Sequence, residues 1–311
     1  MVRLTLIFAF IYCIQLVQAQ QTPLFNQYRD QANIINPAFI GDDYLIRDNN
    51  VTIGVSFRSQ WTGLDNNPVT QALKGDYLYE NRGVSLLTGG YIINDRTGPT
   101  GLTGVYGKIG GILSDDPYWS GISFAITAGI QQFRIDTDRI ILREQNDIIN
   151  AGEQNQITPD VGLGVFWYHN ISGGFFNEDY VYAGASIPQV LGLNINFADE
   201  NGEYNLKRRQ HFYAMLGMYK FLSEDSFLQP SAWVRYVANA PISVDFNLRY
   251  QINQSFYFGA GSSLSGNFHF ETGFILGNQL RIGYGFDYPF NTIGPIGGGS
   301  HEININFAFE R

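Results

Sequence analysis

The sequence has almost no cysteine, and the one it has lies near the start. Cys13 is the single cysteine in 311 residues and falls within an apolar stretch, residues 4–17. Arg3 precedes this stretch, and Val17-Gln18-Ala19 ends it with a pattern typical of a cleavage site. We therefore expect residues 1–19 to be a signal peptide. The exported chain is then expected to have no disulfide bond and no cysteine-based metal site.

Basic charge and long apolar runs are also scarce. The 19 Lys and Arg residues face 28 Asp and Glu residues, giving a net charge of −9, which argues against a nucleic-acid partner. Beyond the leader no apolar run reaches the roughly 20 residues that a membrane-spanning helix needs. The chain is 15% aromatic, 15% charged and contains 35 glycines. This composition fits either a soluble β-sandwich or a membrane β-barrel.

Recognisable catalytic and metal-binding motifs are missing from the sequence. It contains no G-x-S-x-G, no G-x-G-x-x-G and no P-loop. The four histidines do not have the spacing of metal ligands: His169, His211, His269 and His301. The acidic pairs Asp42-Asp43 and Asp115-Asp116 are more simply solvated turn residues than calcium ligands. We therefore expect no enzyme and no cofactor, although catalytic residues far apart in sequence would escape this search.

Alternation of apolar and polar residues is the strongest pattern in the chain. It is strict over residues 51–57, 244–250, 280–288 and 302–309, as in strands with two different faces. A soluble sandwich would need shorter strands with outer faces rich in Lys, Glu and Thr. Here the strands run about ten residues, glycine is common on the polar face, and Tyr or Phe recurs near strand ends. These features indicate an outer-membrane β-barrel with apolar side chains facing lipid.

Strand patterns recur along the whole chain after residue 50, without an internal repeat. The predicted strands are 51–61, 69–79, 84–94, 100–112, 119–135, 159–169, 180–190, 209–221, 226–238, 241–252, 254–264, 266–276, 279–288 and 300–309. They predict an all-β fold, a monomeric antiparallel transmembrane barrel of about fourteen strands over residues 51–311, with short turns in the periplasm and long loops outside. Large loops are expected at residues 136–156 and 191–208.

Strand parity places a set of charged residues on the lumen face of this barrel. They are Arg58, Arg235, Asp245, Arg249, Glu271, Arg281, Asp287 and Glu302. Because an unpaired interior charge is costly, we expect the arginines to find acidic partners such as Asp245, Glu271 and Asp287. The lumen would then be occupied rather than freely conducting. The other reading, in which these residues line a channel or bind an inserted segment or partner, stays open.

Residues 20–50 form an N-terminal arm with a different character. The arm alternates too little for a membrane strand and is too apolar for a free tail. Within it, Pro37 lacks an N–H for a sheet ladder, Asn36 is pushed away from helical angles, and Gly41 would allow a sharp turn into the first strand. We expect the arm to fold back as a plug or a docking surface, with simple capping of the barrel rim as the alternative. The residues assigned to this role are Phe25, Tyr28, Asn36, Pro37, Phe39 and Gly41.

An ordered set of short motifs resembles one known family. The set begins with Phe25-Asn26-Gln27-Tyr28 and Asn36-Pro37-Ala38-Phe39-Ile40-Gly41, and it ends with Ser300-His301-Glu302-Ile303. Between them lie residues 57–61, 159–164, 186–189, 243–250 and 283–288. Together these motifs resemble the PorP/SprF family of outer-membrane proteins from the type IX secretion and gliding-motility system.

The resemblance implies a non-enzymatic role in the outer membrane of a Gram-negative bacterium. Such a protein would support export or surface retention of a particular cargo, an adhesin-like protein with a dedicated C-terminal domain, and would associate with type IX secretion components. Two alternatives remain open. One is a FadL-type carrier of a hydrophobic small molecule, which also has fourteen strands and an N-terminal hatch with an NPA sequence, and the other is a simple porin. A carrier would need an apolar lumen pocket, whereas the mixed lumen charges favour the cargo role.

Overall fold

Fourteen antiparallel strands close into a barrel in the computed structural model, which describes residues 29–136, 154–173, 175–199, 202–290 and 297–311. Each strand pairs with its neighbours along the chain, and the first and last barrel strands complete the ring from Val51 opposite Phe309 to Ser59 opposite His301. Closure gives every strand of the ring a partner on both sides, which is what a bilayer requires of a sheet. The predicted fourteen-stranded barrel is therefore confirmed.

The strand bounds lie close to those expected from alternation. They are β1 Val51–Ser59, β2 Val69–Tyr79, β3 Gly83–Thr97, β4 Thr100–Ser114, β5 Ser120–Ile135, β6 Gln154–Gly173, β7 Phe176–Ile187, β8 Asn194–Asp199, β9 Gly202–Lys207, β10 His211–Ser223, β11 Ser226–Val237, β12 Ser243–Ile252, β13 Phe256–Ser263, β14 Asn267–Leu276, β15 Leu280–Pro289 and β16 Ser300–Phe309. Strands β8 and β9 stand outside the barrel sheet. They pair as a hairpin within residues 191–208, where only a loop was expected.

The two faces of each strand meet different surroundings, as β12 illustrates. Asp245, Asn247 and Arg249 on the lumen face are all buried. Phe246 and Leu248, which alternate with them, are each 50% exposed on the outer face. A ring of exposed large apolar side chains around a polar interior is the inverse of a soluble protein and is suited to lipid.

The two ends of the barrel differ. Both the N-terminal approach to β1 and the C-terminus lie at one end, where the Arg311 N–H donates to Asn50 Oδ1 over 2.9 Å. Connections at this short-turn end are brief, for example residues 224–225 and 277–279. The opposite, long-loop end carries the connections 60–68 and 188–210. The expected loop at 136–156 falls largely on residues 137–153, which lie outside the described part of the chain.

Barrel height also varies around the ring. Strands β3 to β6 have 15, 15, 16 and 20 residues, whereas β12 to β16 have 8 to 10. Before β1 the chain forms two single-turn helices, α1 (Ala32–Ile35) and α2 (Asp42–Leu45). Neither these nor any other helix in the described ranges is long and apolar enough to span a membrane.

Candidate functional site in the barrel lumen

Residues 29–50, named here the lumen segment, run through the interior of the barrel. Their partners lie on strands all around the ring: Gln31 Nε2 donates to Asn304 on β16 (2.6 Å), and the Ile35 carbonyl accepts from Ser186 Oγ on β7 (2.9 Å). Arg47 Nη2 donates to Gln251 Oε1 on β12 (2.8 Å). A segment can contact opposite walls of the barrel in this way only if it lies inside the barrel.

The Asn36-Pro37 pair makes a tight turn at the centre of this segment. The Phe39 N–H donates to the Asn36 carbonyl (3.0 Å), which closes a four-residue turn with Pro37 at its second position, where a fixed φ is favourable. The Asn36 side chain adds a second bond within the turn, since its Oδ1 accepts from the Ala38 N–H (3.0 Å). Its Nδ2 donates to the Val165 carbonyl of β6 (3.0 Å) and ties the turn to the wall.

Two lumen-facing glycines, Gly164 and Gly184, leave the space that this turn occupies, and we call them the glycine seat. A Cβ added at Gly164 on β6 would overlap Asn36 Oδ1 and lie 2.8 Å from Pro37 Cδ. A Cβ added at Gly184 on the adjacent strand β7 would lie 2.9 Å from Asn36 Nδ2. Any larger residue at these positions would occupy the space that the turn fills.

An aromatic wall receives the apolar side chains of the segment. Phe39 packs edge-on against Phe166, with ring centroids 5.1 Å apart. Tyr44 stacks on Tyr118, in the short turn before β5, at 5.0 Å. Buried residues of both sides belong to one continuous cluster: Ala32, Ile34, Ile35, Ala38 and Ile40 from the segment, and Phe166, Tyr168, Tyr182, Tyr219 and Phe227 from β6, β7, β10 and β11.

The other wall is charged, and it meets the acidic side chains of the segment. Arg249 on β12 pairs with Glu271 on β14 through two bonds of 3.1 and 2.9 Å, and with Asp30 of the segment at 3.0 Å. Its guanidinium also lies 4.1 Å from the centre of the Tyr257 ring. Arg29 pairs with the same Glu271. Bidentate, buried contacts of this type are the strong class of charge-assisted hydrogen bond.

In the described part of the chain, the acidic partners of Arg281 on β15 all belong to the lumen segment. It pairs with Asp43 at 2.7 Å, with Asp42 at 3.0 Å and with Asp30 at 3.5 Å. Arg47 completes the group with contacts of 2.9 Å to both Asp42 and Asp43. We call these residues the ion cluster, with four cations (Arg29, Arg47, Arg249, Arg281) and four anions (Asp30, Asp42, Asp43, Glu271).

The arginines of the ion cluster favour the charged forms of Asp42 and Asp30. Burial alone would raise the pKa of Asp42, but the guanidinium groups of Arg281 and Arg47 outweigh it and hold that pKa well below its usual value. The pKa of Asp30 is lowered against the same opposing burial, chiefly by Arg249 and Arg281. Their stabilising contribution is present above the ordinary carboxyl range and is lost only as pH falls through the lowered values. Asp30 and Asp42 therefore remain charged at neutral pH.

Two expectations about the segment are wrong. Asp42 and Asp43 are not solvated turn residues, because both are ion-paired inside the barrel. Gly41 does not make a sharp turn into the first strand. Its φ of −93° and ψ of 179° are extended, it precedes α2, and β1 begins only at Val51. Phe25 and Tyr28 lie outside the described residues.

The remaining parity-derived residues lie mainly toward the long-loop end of the lumen. Arg58 is 3.6 Å from Asp287 and 3.9 Å from Glu302, and both contacts are looser than those of the ion cluster. Asp245 is buried on β12. Arg235 was expected to find an acidic partner, but within the described ranges no ion pair includes it. It is only half-buried near the end of β11, close to His211, so its charge can be solvated.

Sequence reasoning missed several buried charges. Lys108 on β4 pairs with Asp76 on β2, and Asn33 of the segment donates to the same carboxylate. Lys220 on β10 pairs with Asp179 on β7 at 2.8 Å. Strand parity could have found Lys108, but Lys220 follows the lumen-facing Tyr219 and has the parity of the outer face of β10. Nothing in the strand pattern could have found Asp30 or Arg47, which lie outside the alternating part of the chain.

Metal binding has little support from this arrangement. In the part of the chain that the structure describes, no three His, Cys, Asp or Glu side chains converge as ligands would. The four clustered carboxylates are each engaged by guanidinium groups. The site is therefore suited to holding a segment of chain in place.

Comparison with protein families gives a match over residues 17–307, nearly the whole sequence, to the type IX secretion system membrane protein PorP/SprF. The chain belongs to the PorP/SprF family. Fold and family together place it in the outer membrane of a Gram-negative bacterium, as a barrel related to type IX secretion. The short-turn end is then periplasmic and the long-loop end extracellular.

Solved structures share the fold at very low sequence identity. The toluene transporter TodX of P. putida is 9% identical, with a TM-score of 0.53 over 90% of this chain and 94% of that one. The monoaromatic hydrocarbon channel CymD is 10% identical, with a TM-score of 0.50 over 93% and 100%. No curated protein sequence matches the chain. At this level of identity only the barrel architecture is shared.

Removing one guanidinium from the ion cluster should release the lumen segment. Arg249→Met leaves Asp30 and Glu271 buried without their shared partner, at a cost of about 3–5 kcal/mol. The open fraction of the segment should rise roughly 100-fold or more. The rate of maleimide labelling at Ala38→Cys, in a chain with Cys13→Ser, measures this opening because Ala38 is fully buried.

Arg235→Met is the matched control, since it removes a half-buried arginine of the same lumen face that forms no ion pair with another described residue. It should leave labelling of Ala38→Cys unchanged. Unchanged labelling in Arg249→Met, with the barrel folded by its heat-modifiable gel mobility, would show that the ion cluster does not hold the segment.

Filling the glycine seat should have the same effect without altering any charge. The side chain of Gly164→Val would occupy the position of Asn36 and Pro37, so the turn must leave the wall. We expect faster labelling at Ala38→Cys with normal barrel assembly. Gly107→Val is the control, because a Cβ there would meet no atom nearer than 4.0 Å. Equal labelling rates in the two variants would contradict the seat.

Proposed function

We propose that this barrel supports export or surface retention of one specific secreted cargo by binding the C-terminal domain of that cargo at its extracellular end. Family membership supports a role in type IX secretion. The contacts of residues 29–50 with opposite lumen walls support the more specific part, because a barrel closed by its own chain would be better suited to presenting loops than to passing solutes. The lumen segment would act as a plug in this role, with its periplasmic portion available to secretion components.

The occupied lumen is the observation that carries the proposal. The aromatic wall and the charged wall are both covered by residues 29–50 through the Asn36-Pro37 turn and the ion cluster. A simple porin needs a water-filled passage at this level. The family and fold are those of a non-enzymatic secretion or transport barrel, and no residue in the lumen is assigned a catalytic role.

The hairpin β8–β9 is the extracellular element best suited to cargo recognition. It lies in the connection between β7 and β10, and its six paired positions, from Asn194 opposite Lys207 to Asp199 opposite Gly202, give it a shape of its own. Because it stands outside the barrel sheet, it can differ between relatives without disturbing the barrel.

Transport of a hydrophobic small molecule is the second candidate. The fold shared with TodX and CymD favours it, and aromatic residues such as Phe166, Tyr182 and Tyr219 could line an apolar pocket. In this protein, however, that wall is packed against Ile34, Ile35 and Phe39 of the lumen segment. A carrier role would require the segment to move away and expose it.

Replacing the hairpin tests the cargo role directly. Exchange of residues 194–207 for a short Gly-Ser linker should leave the barrel intact while one cargo disappears from the cell surface. The measurement is mass spectrometry of surface-exposed proteins that carry a type IX C-terminal domain, normalised to the amount of barrel in the outer membrane. A Gly-Ser replacement of residues 238–241, in the extracellular connection between β11 and β12, is the control.

The outcomes separate the alternatives. Loss of one cargo with the others unchanged supports specific binding. Unchanged cargo display would contradict the proposal, and equal loss of every cargo would indicate a general role in the machinery instead.

A further inference from the structure

Strand β6 is paired over different lengths on its two sides. Toward β5 its pairing begins at Gln154, whereas toward β7 it begins only at Leu163, opposite Ile187. β7 ends at that point because the next residue, Pro188, has no N–H for a sheet ladder. Among the strands that the structure describes, none pairs with residues 154–160 on the side away from β5. This part of β6 is therefore unpaired on one side.

Every second residue of this stretch directs its N–H and C=O groups toward the unpaired side. The Val190 N–H, just beyond β7, donates to the Val161 carbonyl (2.7 Å), so the backbone groups of Val161 point away from β5. These directions alternate along an antiparallel strand, so the groups of Asn155, Ile157 and Pro159 point the same way. Pro159 has no N–H, which is tolerated here because no partner strand needs it. We call the outward backbone groups of these three residues the β6 edge.

The rest of the described chain does not cover the β6 edge. None of its backbone hydrogen bonds uses the N–H of Asn155 or Ile157 on this side. The Ile157 side chain is 65% exposed, and Asn155 and Pro159 are exposed as well. After Val190 the chain turns away at Gly192, which has a φ of 52°, and continues into the hairpin β8–β9. The two hairpin strands pair with each other and not with β6.

Register places the β6 edge above the lipid-facing surface. On β5 the exposed apolar residues end at Ile130, and Gln132 follows on the same face. Gln132 is paired in register with Ile157, and Arg134 with Asn155. Unpaired backbone groups are not tolerated in the hydrocarbon core, but outside it a strand edge is a ready template for pairing with another chain. The β6 edge is therefore an extracellular surface that can accept a strand.

We propose that the β6 edge takes up an extended segment of the cargo's C-terminal domain as an added strand. This inference rests on the proposed function and names the contact through which the cargo is held. Main-chain hydrogen bonds supply the affinity of such a contact, and the edge offers the N–H groups of Asn155 and Ile157 and the carbonyls of these residues and Pro159 over about 13 Å. A segment with an apolar residue at its centre fits best, because a cross-strand neighbour of Ile157 covers its exposed side chain.

The position of the edge favours the cargo as its occupant. The chain that leaves the edge at Val190 leads directly into the hairpin β8–β9, so an added strand on β6 and the hairpin would contact the same extracellular partner. Backbone pairing holds an extended segment of many sequences, whereas the hairpin can differ between relatives. The two elements together would combine firm attachment with choice of cargo.

Proline substitution on the edge side tests this contact. Ile157→Pro removes one edge N–H without affecting the ladder to β5, as Pro159 already does in the native chain. Surface display of the cargo that is lost on replacement of residues 194–207 should fall about tenfold, because its carbonyl is left without a donor. The measurement is mass spectrometry of surface-exposed proteins with a type IX C-terminal domain, normalised to the barrel in the outer membrane. Ile157→Thr is the matched control, because it also removes the apolar side chain but keeps the N–H, and it should lose only about twofold.

Amide hydrogen exchange tests the backbone contact in the wild-type protein. Addition of the purified C-terminal domain of the same cargo to the barrel in non-ionic detergent should slow exchange at Asn155 and Ile157 at least about tenfold. Exchange at Thr158 should not change, because its N–H points toward β5, where it is paired in register with Gln131.

The outcomes separate this inference from the proposed function. Unchanged display in Ile157→Pro, with cargo still lost on hairpin replacement, would overturn the edge contact and leave the proposed function standing. Equal loss in Ile157→Pro and Ile157→Thr, or unchanged exchange at Asn155 and Ile157, would overturn it as well. Slowed exchange at the edge in concentrated barrel without cargo would assign the edge to a second copy of the chain. If neither Ile157→Pro nor the hairpin replacement affects any cargo, the proposed function fails together with the inference.

Discussion

The structure depends on how Arg249 and Arg281 are neutralised inside the barrel. Both lie on the lumen face and are buried, and an unpaired buried charge costs several kcal/mol. The wall itself supplies Glu271 to Arg249, but every acidic partner that Arg281 has among the described residues comes from residues 29–50. The charges of the barrel wall are therefore not fully paired without the lumen segment. The segment in turn needs the wall, because its Asp30 is buried and its Asp42 and Asp43 are partly buried.

The same complementarity extends to the apolar side of the segment. Phe39 and its apolar neighbours pack against the aromatic wall of β6, β7, β10 and β11, while the carboxylates face the arginines of β12 and β15. The Asn36-Pro37 turn fixes the position of the chain between the two walls because Gly164 and Gly184 leave room for it. Hydrophobic packing and ion pairing thus constrain one short piece of chain from opposite directions.

Much of the barrel could be predicted from the sequence, because alternation with a period of two is a local signal that each strand carries by itself. The same parity placed Arg58, Arg249, Glu271, Arg281, Asp287 and Glu302 on the buried lumen face. The partners of these residues could not be predicted in the same way. Asp30 and Asp42 lie in a segment without periodicity, and their pairing with Arg281 spans more than 200 residues. The turn predicted at Gly41 was wrong for a similar reason. A glycine in the sequence shows which backbone angles are permitted, but it does not show which angles the chain adopts.

Single-channel conductance in planar bilayers tests the central claim most directly. The wild-type barrel should show no steady large conductance, because residues 29–50 lie across the lumen and the charges of the ion cluster are paired. Deletion of residues 21–41 should remove the Asn36-Pro37 turn and Asp30, open the lumen and give long-lived channels at neutral pH. Steady, large channels from the wild-type protein, or a barrel that assembles without residues 21–41 and stays just as closed, would contradict the claim that this segment closes the lumen.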